Sequence, residues 1–407
     1  MAEKVIVIGS GPAGLMAALT AAESGKAVQI LEYLPQAGRK LLASGAGKCN
    51  FTNMLDPESM AERFAPEQRR FVRPALLAFT PQNVRDFFAD HGVDYKLVDD
   101  FYCFPVSEKA SDILKVLSDK LSFAGGKILC DTPVTDIKIA DNRIVGVYSN
   151  SNFYACDFLI AAAGGPGFPR LGGRRSLDKI FLQHNISMVE RTPALCGIKS
   201  HDPFLQSLTG IVLDDTMLVM DKKNFTRGTL LFTGEGISGP VALDISGRVA
   251  KALYAGNDVV LQLNFDCGKS RNDWLDLLQK FRNENGKRLI RNVFAHHLPQ
   301  AVAHAVTQAA GAGKTIAANL ARNVQERLLD FLTMYPVKVS GVESWEKSMA
   351  STGGVDRKSV NSKTMQSREI ENLYFAGEFI DVDGPCGGYN IQWAFSSGFA
   401  AGCLKKQ

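Results

Sequence analysis

The sequence KVIVIGSGPAG, residues 4–14, decides the fold class of this chain. Its first half is a short apolar, β-branched run that ends at glycine, as buried strands do. Apolar residues then recur at helical spacing from Leu15 to Ala22, and Gly25 ends the predicted helix. Residues 28–31 form a second apolar strand, which ends at Glu32. A strand, a helix and a second strand in this order predict an α/β protein with a parallel sheet.

The glycine-rich turn inside this unit matches the dinucleotide-binding fingerprint. Gly9 permits a tight turn, Gly11 lets the backbone approach a pyrophosphate, and Gly14 lets the helix pack closely on the strand. The helix begins around Pro12 and Ala13, so its free N–H groups and the positive end of its dipole would face the phosphates. These features predict that the turn holds the diphosphate of a dinucleotide.

Glu32 follows the second strand at the distance expected for the residue that accepts hydrogen bonds from ribose hydroxyls. An acid at this position would repel a 2′-phosphate, so the adenosine half of the cofactor is expected to be unphosphorylated. Taken alone, the turn and the acid indicate a dinucleotide without separating NAD from FAD.

The rest of the chain predicts a discontinuous domain. Gly38–Asn53 is a long loop rich in small and basic residues, and residues 157–163 form another buried strand before Gly164. A last buried strand ends just before Gly377, and a closing helix follows from Ile391. We therefore expect residues 1–191 and 337–407 to form the nucleotide-binding domain, with a β-rich domain at 192–270 and a helical domain at 271–336 inserted into it.

Composition excludes several classes of protein. A net charge of +4 over 407 residues, without clusters of basic and aromatic residues, argues against a dedicated nucleic-acid binder. The eight cysteines form no Cys-x-x-Cys pair, which argues against a disulfide framework or a zinc site and favours a reducing, cytoplasmic location. His296, His297 and His304 have no carboxylate in a ligand pattern, so no metal is expected. We predict no signal peptide and no membrane span, and the oligomeric state stays open.

Four further segments resemble one family. Residues 38–53, GRKLLASGAGKCNFTN, resemble a segment of the HI0933-like flavoproteins, which include BaiN-type bile-acid reductases and aminoacetone oxidase-like proteins. Residues 230–240 (LLFTGEGISGP), 352–355 (TGGV) and 373–402 resemble other segments of the same family. The resemblance covers nearly the whole chain in order. It implies a glutathione-reductase-like, FAD-binding Rossmann domain with inserted β-rich and helical domains.

The resemblance and the glycine turn together predict which residues hold FAD. Arg39 and Lys40 are expected near the ribityl and phosphate groups, and Val134 near the adenine. The N–H groups of Asn390 and Ile391, at the start of the closing helix, are candidates for the flavin O2 contact. The full predicted set is Gly9, Gly11, Pro12, Ala13, Gly14, Glu32, Arg39, Lys40, Asn50, Val134, Gly164, Gly377, Glu378, Asp383, Gly388, Asn390 and Ile391.

The residue that handles protons is not fixed by any motif, and the candidates are Cys49, Glu235 and Tyr389. Members of the resembled family often carry His or Glu after the Phe-Thr of the middle motif. This chain has Gly234 and then Glu235, so the role is moved or lost. Cys49 has no partner in a Cys-x-x-x-x-Cys pair, so a packing role is favoured over redox chemistry.

Three functions follow. Only one complete dinucleotide fingerprint is present, so NAD(P)H would bind transiently rather than on a domain of its own. The leading hypothesis is an NAD(P)H-dependent reductase that transfers hydride through flavin N5 to an unsaturated, apolar small molecule, as BaiN-type enzymes do. The first alternative is an O₂-dependent amine oxidase. The second is a flavin-binding protein that acts on RNA or another macromolecule, although neither a nucleic-acid nor a membrane partner is expected.

Overall fold

The computed structural model describes residues 2–405, and it divides the chain into two compact units. Unit 1 comprises the residues up to Arg191 together with those from Ala350 onward, and unit 2 is Thr192–Met349. Among residues 2–405, no helix combines the length and the apolar composition that crossing a bilayer requires.

The strands are numbered in chain order. They are β1 Lys4–Ile8, β2 Ala27–Leu31, β3 Thr52–Asn53, β4 Tyr95–Val98, β5 Tyr102–Pro105, β6 Lys127–Leu129, β7 Val134–Ala140, β8 Arg143–Ser149, β9 Asn152–Ala155, β10 Phe158–Ala161, β11 Met188–Ala194, β12 Ile198–Lys199, β13 Val212–Val219, β14 Phe225–Thr233, β15 Gly236–Ser238, β16 Val260–Asn264, β17 Tyr335–Lys338, β18 Gly341–Val342, β19 Ala350–Val355 and β20 Leu373–Phe375.

The helices are numbered in the same way. They are α1 Pro12–Glu23, α2 Arg39–Ala43, α3 Pro57–Ala61, α4 Pro66–Ala78, α5 Pro81–Ala89, α6 Ala110–Phe123, α7 Ser176–Gln183, α8 Pro203–Ser207, α9 Pro240–Tyr254, α10 Arg271–Asn285, α11 Arg291–Phe294, α12 Gln300–Ala309, α13 Arg322–Met334 and α14 Tyr389–Gly402.

A five-stranded parallel sheet forms the centre of unit 1, in the order β20-β10-β1-β2-β6. Its middle strands are buried along almost their whole length, which explains why β1 and β10 are continuous apolar runs rather than alternating ones. The strand order places residues from the end of the chain, β20, beside residues from its first half, β10. The predicted α/β fold class with a parallel sheet is confirmed.

Two helices from opposite ends of the chain pack tightly on each other in unit 1. A Cβ added at Gly398 of α14 would lie 2.4 Å from the carbonyl oxygen of Ala13, and one added at Gly402 would lie 2.4 Å from that of Ala17. Both distances are shorter than any tolerable contact, so only glycine lets α14 approach the backbone of α1 this closely. The packing fixes the C-terminal helix against the first helix.

Smaller antiparallel sheets accompany the parallel one in unit 1. They are β3-β5-β4 and β7-β8-β9, and β11 pairs with β19 where the chain leaves and re-enters the unit. Asp141 and Asn142 both have positive φ and form the turn between β7 and β8, as their side-chain types favour.

Unit 2 is built on a seven-stranded antiparallel sheet in the order β17-β16-β13-β14-β15-β12-β18. Its helical part shares a hydrophobic core with this sheet. Phe204 lies 5.6 Å from Phe331 of α13 between ring centroids, and Phe265 lies 6.2 Å from Tyr335 and from Phe232 of β14. The β-rich and helical segments therefore form one compact unit rather than two.

The return to unit 1 comes at Ala350 rather than at residue 337. The reason is that β17 pairs with β16, with Val337 opposite Leu261, and Ile198 of β12 pairs with Val342 of β18. These pairings hold residues 335–342 against the sheet of unit 2, so the chain leaves that unit only after Met349. No local sequence pattern encodes the pairings.

Candidate cofactor-binding site

Four segments of unit 1 meet at one edge of the parallel sheet. Gly9 follows β1, Glu32 follows β2, Gly164 lies just beyond β10, and Gly377 lies just beyond β20. Because these strands are parallel and adjacent, their carboxyl ends share an edge, which is where open α/β sheets bind ligands. The structure thus brings together predicted residues that are up to 368 positions apart.

The three glycines of the first turn have different surroundings. Gly9 has a φ of +97°, and a Cβ there would lie 2.6 Å from the carbonyl oxygen of Ala162. A Cβ at Gly14 would lie 2.0 Å from the carbonyl oxygen of Gly9. At Gly11, by contrast, no atom lies within 4 Å of the added Cβ. The fold therefore excludes side chains at Gly9 and Gly14, whereas Gly11 faces open space in front of the N-terminus of α1.

Glu32 is buried and holds the glycine turn. Its Oε2 accepts hydrogen bonds from the backbone N–H of Ser10 at 3.0 Å and from the Ser10 hydroxyl at 2.6 Å. Its Oε1 accepts from the backbone N–H of Leu34 at 2.9 Å. Each carboxylate oxygen has further lone-pair capacity, so these bonds leave room for a ribose hydroxyl. Glu32 also has a positioning role that the sequence pattern alone did not predict.

Gly377 joins the last strand to the first helix. It has a φ of +67°, its N–H donates to the Ser397 hydroxyl at 2.9 Å, and a Cβ there would lie 2.7 Å from the Cβ of Ala13. A side chain at position 377 would thus collide with the first turn of α1. The two ends of the chain consequently form one continuous cradle.

Glu378 lies at the centre of a network that connects three segments. Its Oε2 lies 2.9 Å from the Lys40 ammonium, and its Oε1 accepts from the Ser351 N–H at 2.9 Å and from the Ser351 hydroxyl at 3.0 Å. Burial pushes the pKa of Glu378 upward, but the charge and hydrogen bond of Lys40, together with Arg191 and Ser351, outweigh burial and hold the pKa below its ordinary value. A Cβ at Gly165 would lie 2.4 Å from Oε1, so glycine is required beside it.

Glu378→Gln is expected to lower the stability of unit 1 at pH 7 by about 2 kcal/mol, because a charged hydrogen-bond acceptor is lost. A carboxylate whose folded pKa is depressed stabilises the protein above its ordinary pKa, here 4.5, and this contribution is lost as pH falls through the folded value. The gap between wild type and variant should therefore begin to narrow below pH 4.5 and close once the pH is below the depressed pKa of Glu378. Urea unfolding at pH 7 and in the acid range measures the difference. An equal gap at both pH values would contradict this role.

The segment 38–53 was predicted to be a loop, but it contains helix α2 and strand β3, and its last residues contact the N-terminus of α14. The Thr52 hydroxyl donates to Gln392 Oε1 at 2.6 Å, and Asn53 Nδ2 donates to the Gly387 carbonyl at 2.9 Å. Asn50, with its amide turned to satisfy both neighbours, donates to the Thr52 carbonyl at 2.8 Å and accepts from the Gly388 N–H at 3.3 Å. Asn50 and Gly388, both predicted from sequence, are thus direct neighbours.

The first turn of α14 offers backbone donors. Gly388 caps it in the left-handed region, with a φ of +85°, and a Cβ there would lie 2.8 Å from the Thr52 carbonyl. The side chain of Asn390 is occupied, since it accepts from the Gly384 N–H and donates to the Gly384 carbonyl, both at 2.8 Å. The N–H groups of Asn390 and Ile391 lie in the first helical turn, where the helix itself supplies no acceptor. They can therefore bind an external oxygen.

Three further residues predicted to bind the cofactor have the following surroundings. Asp383 accepts from Gln68 Nε2 at 3.0 Å. Val134 begins β7, opposite Ser149. Arg39 is the first residue of α2 and is half-buried.

The three proton-transfer candidates lie in different environments. Cys49 is completely buried, and burial raises the pKa of its thiol to about 12. Tyr389 begins α14 and is almost fully buried, with its ring 6.2 Å from that of Phe64. Glu235 belongs to unit 2, is exposed, and lies 3.3 Å from the Lys199 ammonium. Only Tyr389 shares an element with the free N–H groups of α14.

Sequence reasoning missed Ser351, Arg191 and Gln392. Arg191 is 1% exposed and donates to the carboxylate of Asp178 at 2.8 Å and to the carbonyl of Glu378 at 3.2 Å. The only available signal was position, since Ser351 directly precedes the TGGV motif and Gln392 lies inside the C-terminal motif.

The residues present fit FAD. The open face of Gly11 at a helix N-terminus suits a pyrophosphate, and the buried carboxylate of Glu32 suits a ribose. A second helix N-terminus, that of α14, lies in the same unit and offers free donors to the flavin ring. The glycines at 377 and 388 keep the cradle free of side chains.

Comparisons with known proteins agree with this geometry. A family model described as the HI0933-like protein Rossmann domain matches residues 3–404. A ribosomal RNA dihydrouridine synthase of Haemophilus influenzae is 31% identical over 403 residues, covering 97% of this chain and 96% of the relative. A 3-dehydro-bile acid delta(4,6)-reductase of Clostridium scindens is 27% identical over 412 residues, covering 98% of each.

Among solved structures, a 3-ketosteroid delta1-dehydrogenase from Sterolibacterium denitrificans shares the fold. The TM-score is 0.53 at 15% sequence identity, covering 98% of this chain and 99% of that chain. At this identity the likeness concerns the fold alone.

Proposed function

The chain belongs to the HI0933-like family and is an FAD-dependent oxidoreductase, and we propose that it uses NAD(P)H to reduce the C5=C6 double bond of a uridine base in ribosomal RNA. The observation that carries this proposal is the 31% identity with a ribosomal RNA dihydrouridine synthase over almost the full length of both chains. It revises the sequence-based expectation of a small-molecule substrate and no nucleic acid.

The two relatives share one type of chemistry. Converting uridine to dihydrouridine adds two hydrogens across a double bond conjugated to a carbonyl. A delta(4,6)-reductase of a 3-dehydro bile acid also reduces double bonds conjugated to a carbonyl. Such double bonds are activated toward hydride by the carbonyl, and a proton completes the addition. This chemistry supports the hydride transfer to an unsaturated acceptor that the sequence predicted.

The overall reaction consumes NAD(P)H, a proton and the double bond, and yields NAD(P)⁺ and the saturated base. FAD, held by the cofactor-binding residues of unit 1, would supply a two-electron carrier between the nicotinamide and the acceptor. The N–H groups of Asn390 and Ile391 at the positive end of α14 would stabilise negative charge near the flavin O2. Tyr389, on the same helix turn, is the proposed source of the proton.

A second candidate function is reduction of an apolar, bile-acid-like ring compound, which the 27% identity with the bile-acid reductase favours. It differs from the first in the acceptor alone. The two functions can therefore be separated by supplying each acceptor to the same reduced enzyme.

Anaerobic stopped-flow spectroscopy tests the proposal in two steps. NADH or NADPH is expected to bleach the bound flavin, and unmodified ribosomal RNA made by transcription in vitro should then reoxidise it. Mass spectrometry should find uridine heavier by two hydrogen atoms. Reoxidation by a 3-oxo-delta(4,6) bile acid but not by RNA would support the second candidate. Reoxidation by O₂ alone, with amines as the reductant and peroxide released, would support the amine oxidase instead.

A further inference from the structure

Positive charge is concentrated in one segment of unit 2. The whole chain has a net charge of +4, but residues 280–327 contain eight lysines and arginines against two glutamates. This segment alone therefore carries a formal charge of +6, and the remainder of the chain is slightly acidic. The modest overall charge, which argued against nucleic-acid binding, conceals this asymmetry.

The basic residues of this segment are all exposed. They are Lys280, Arg282, Lys287, Arg288, Arg291, Lys314, Arg322 and Arg327. Within residues 2–405, none of them forms an ion pair with a carboxylate. Glu326, one of the two glutamates, is itself paired with Arg271, which also lies 2.9 Å from Asp330. The positive charge is thus not neutralised within the protein.

Hydrogen bonds join the chain segments on or beside which five of these residues lie. The chain at 286–290 runs beside the chain at 315–318: the Ile290 N–H donates to the Thr315 carbonyl, and the Ala317 N–H donates to the Arg288 carbonyl, both at 2.9 Å. Arg282 Nη2 donates to the Ala318 carbonyl at 3.3 Å, and Arg291 lies 3.5 Å from the His304 ring nitrogen. Arg282, Lys287, Arg288, Arg291 and Lys314 therefore surround this pair of segments. We call these five residues the basic surface.

We infer that the basic surface of unit 2 docks the phosphate backbone of the RNA substrate. The inference rests on the proposed function, because it names how that substrate is held. Guanidinium groups bind phosphate oxygens in pairs, and a set of unpaired cations releases counterions when it meets a polyanion. Such contacts position an RNA without reading its sequence.

An RNA fits this surface better than an anionic membrane does. Peripheral membrane segments combine basic residues with exposed apolar side chains that enter the lipid. The large apolar side chains that are exposed among residues 2–405 include none from residues 280–327. The surface is charged without an apolar face beside it, which is the composition that phosphate contacts require.

The test compares two matched charge reversals in the FAD-loaded full chain. Lys287→Glu/Arg288→Glu changes the basic surface. Lys222→Glu/Lys223→Glu makes the same change in charge in the exposed turn between β13 and β14 of the same unit. Binding of transcribed ribosomal RNA is measured across a series of KCl concentrations. The first variant is expected to bind RNA about tenfold or more weakly near physiological salt. The slope of its log affinity against log KCl concentration should fall by the amount that corresponds to about one to two phosphate contacts. The control should stay within about twofold of wild type.

Each outcome has a defined meaning. If wild type binds RNA and the two variants bind it with the same affinity as each other, the basic surface is not the RNA-docking surface. The proposed function is unaffected by that result. Failure of the wild type itself to bind RNA counts against the proposed RNA substrate. Binding to phosphatidylglycerol vesicles that only the first variant loses, without RNA binding, assigns the surface to lipid and overturns the inference. Lys287→Gln/Arg288→Gln, with unchanged melting temperature and FAD content, should give a smaller loss in the same direction and so excludes misfolding as the cause.

Discussion

Gly11→Val is expected to weaken FAD binding by about a hundredfold or more while unit 1 remains folded. No atom lies within 4 Å of a Cβ at this position, so the protein itself accommodates the side chain. The added carbons would occupy the space in front of the α1 N-terminus that a pyrophosphate needs. Loss of two charged hydrogen bonds to the phosphates costs about 3–6 kcal/mol, which corresponds to at least roughly a hundredfold weaker binding. Titration of the apoprotein with FAD, followed by flavin fluorescence, measures this loss.

Gly14→Val provides the matched control in the same turn. A Cβ there would lie 2.0 Å from the carbonyl oxygen of Gly9, so this variant should lose the packing of α1 on β1 and unfold at lower temperature. The two substitutions are thus predicted to affect different properties: Gly11→Val lowers FAD affinity, and Gly14→Val lowers the stability of the fold. Normal FAD affinity in Gly11→Val, or intact stability in Gly14→Val, would show that the turn does not have the roles assigned to it.

The features that could be predicted from sequence are those encoded within a few consecutive residues. The apolar run of β1, the turn at Gly9 and the helical spacing of α1 require no information about distant parts of the chain. The segments that resemble the family relate the N-terminal part of the chain to its C-terminal part, and they predicted that the two chain ends form one domain. The contact of Gly377 with Ala13 gives that relation a physical basis.

What could not be predicted depends on pairings between distant residues. Lys40 and Glu378 are 338 positions apart, and neither sequence context indicates that they form an ion pair. The end of unit 2 depends on the pairing of β17 with β16, which follows from the register of a sheet rather than from any turn signal. The basic surface was not predicted from the sequence, because the net charge of +4 is a sum over the whole chain and does not show where the charges lie.

The sequence motifs also do not specify which electron acceptor the enzyme reduces. The sequence favoured an apolar small molecule because its motifs resemble those of BaiN-type reductases. It disfavoured RNA because the net charge is low and basic–aromatic clusters are lacking. The glycine turn and the N-terminus of α14 serve any flavin reductase equally, since they act on the cofactor and not on the acceptor. On the proposed function, the hydride chemistry would be specified in unit 1, whereas the acceptor would be distinguished by surfaces that carry no short motif.

Arg191→Met is expected to destabilise unit 1 by about 3–5 kcal/mol, because the buried Asp178 carboxylate loses its hydrogen-bonded partner and keeps only Arg175, 3.7 Å away. Arg191 is 1% exposed and its Nε lies 2.8 Å from Asp178 Oδ2. Its guanidinium also donates to the carbonyls of Glu378 at 3.2 Å and Phe379 at 3.4 Å, so it supports the turn that carries Glu378. Urea unfolding of the FAD-loaded protein, followed by release of flavin fluorescence, measures the change.

The double variant Asp178→Leu/Arg191→Met separates the ion pair from the support of the turn. Removing both charges eliminates the carboxylate that has lost its buried partner, and Asp178 Oδ1 already lacks a hydrogen-bond partner within the residues described, so part of the lost stability should return. A coupling of about 1–3 kcal/mol between the two substitutions is expected. The deficit that persists in the double variant then reports the hydrogen bonds to Glu378 and Phe379. Strict additivity would show that Asp178 and Arg191 stabilise the fold independently, and that the turn does not depend on their pairing.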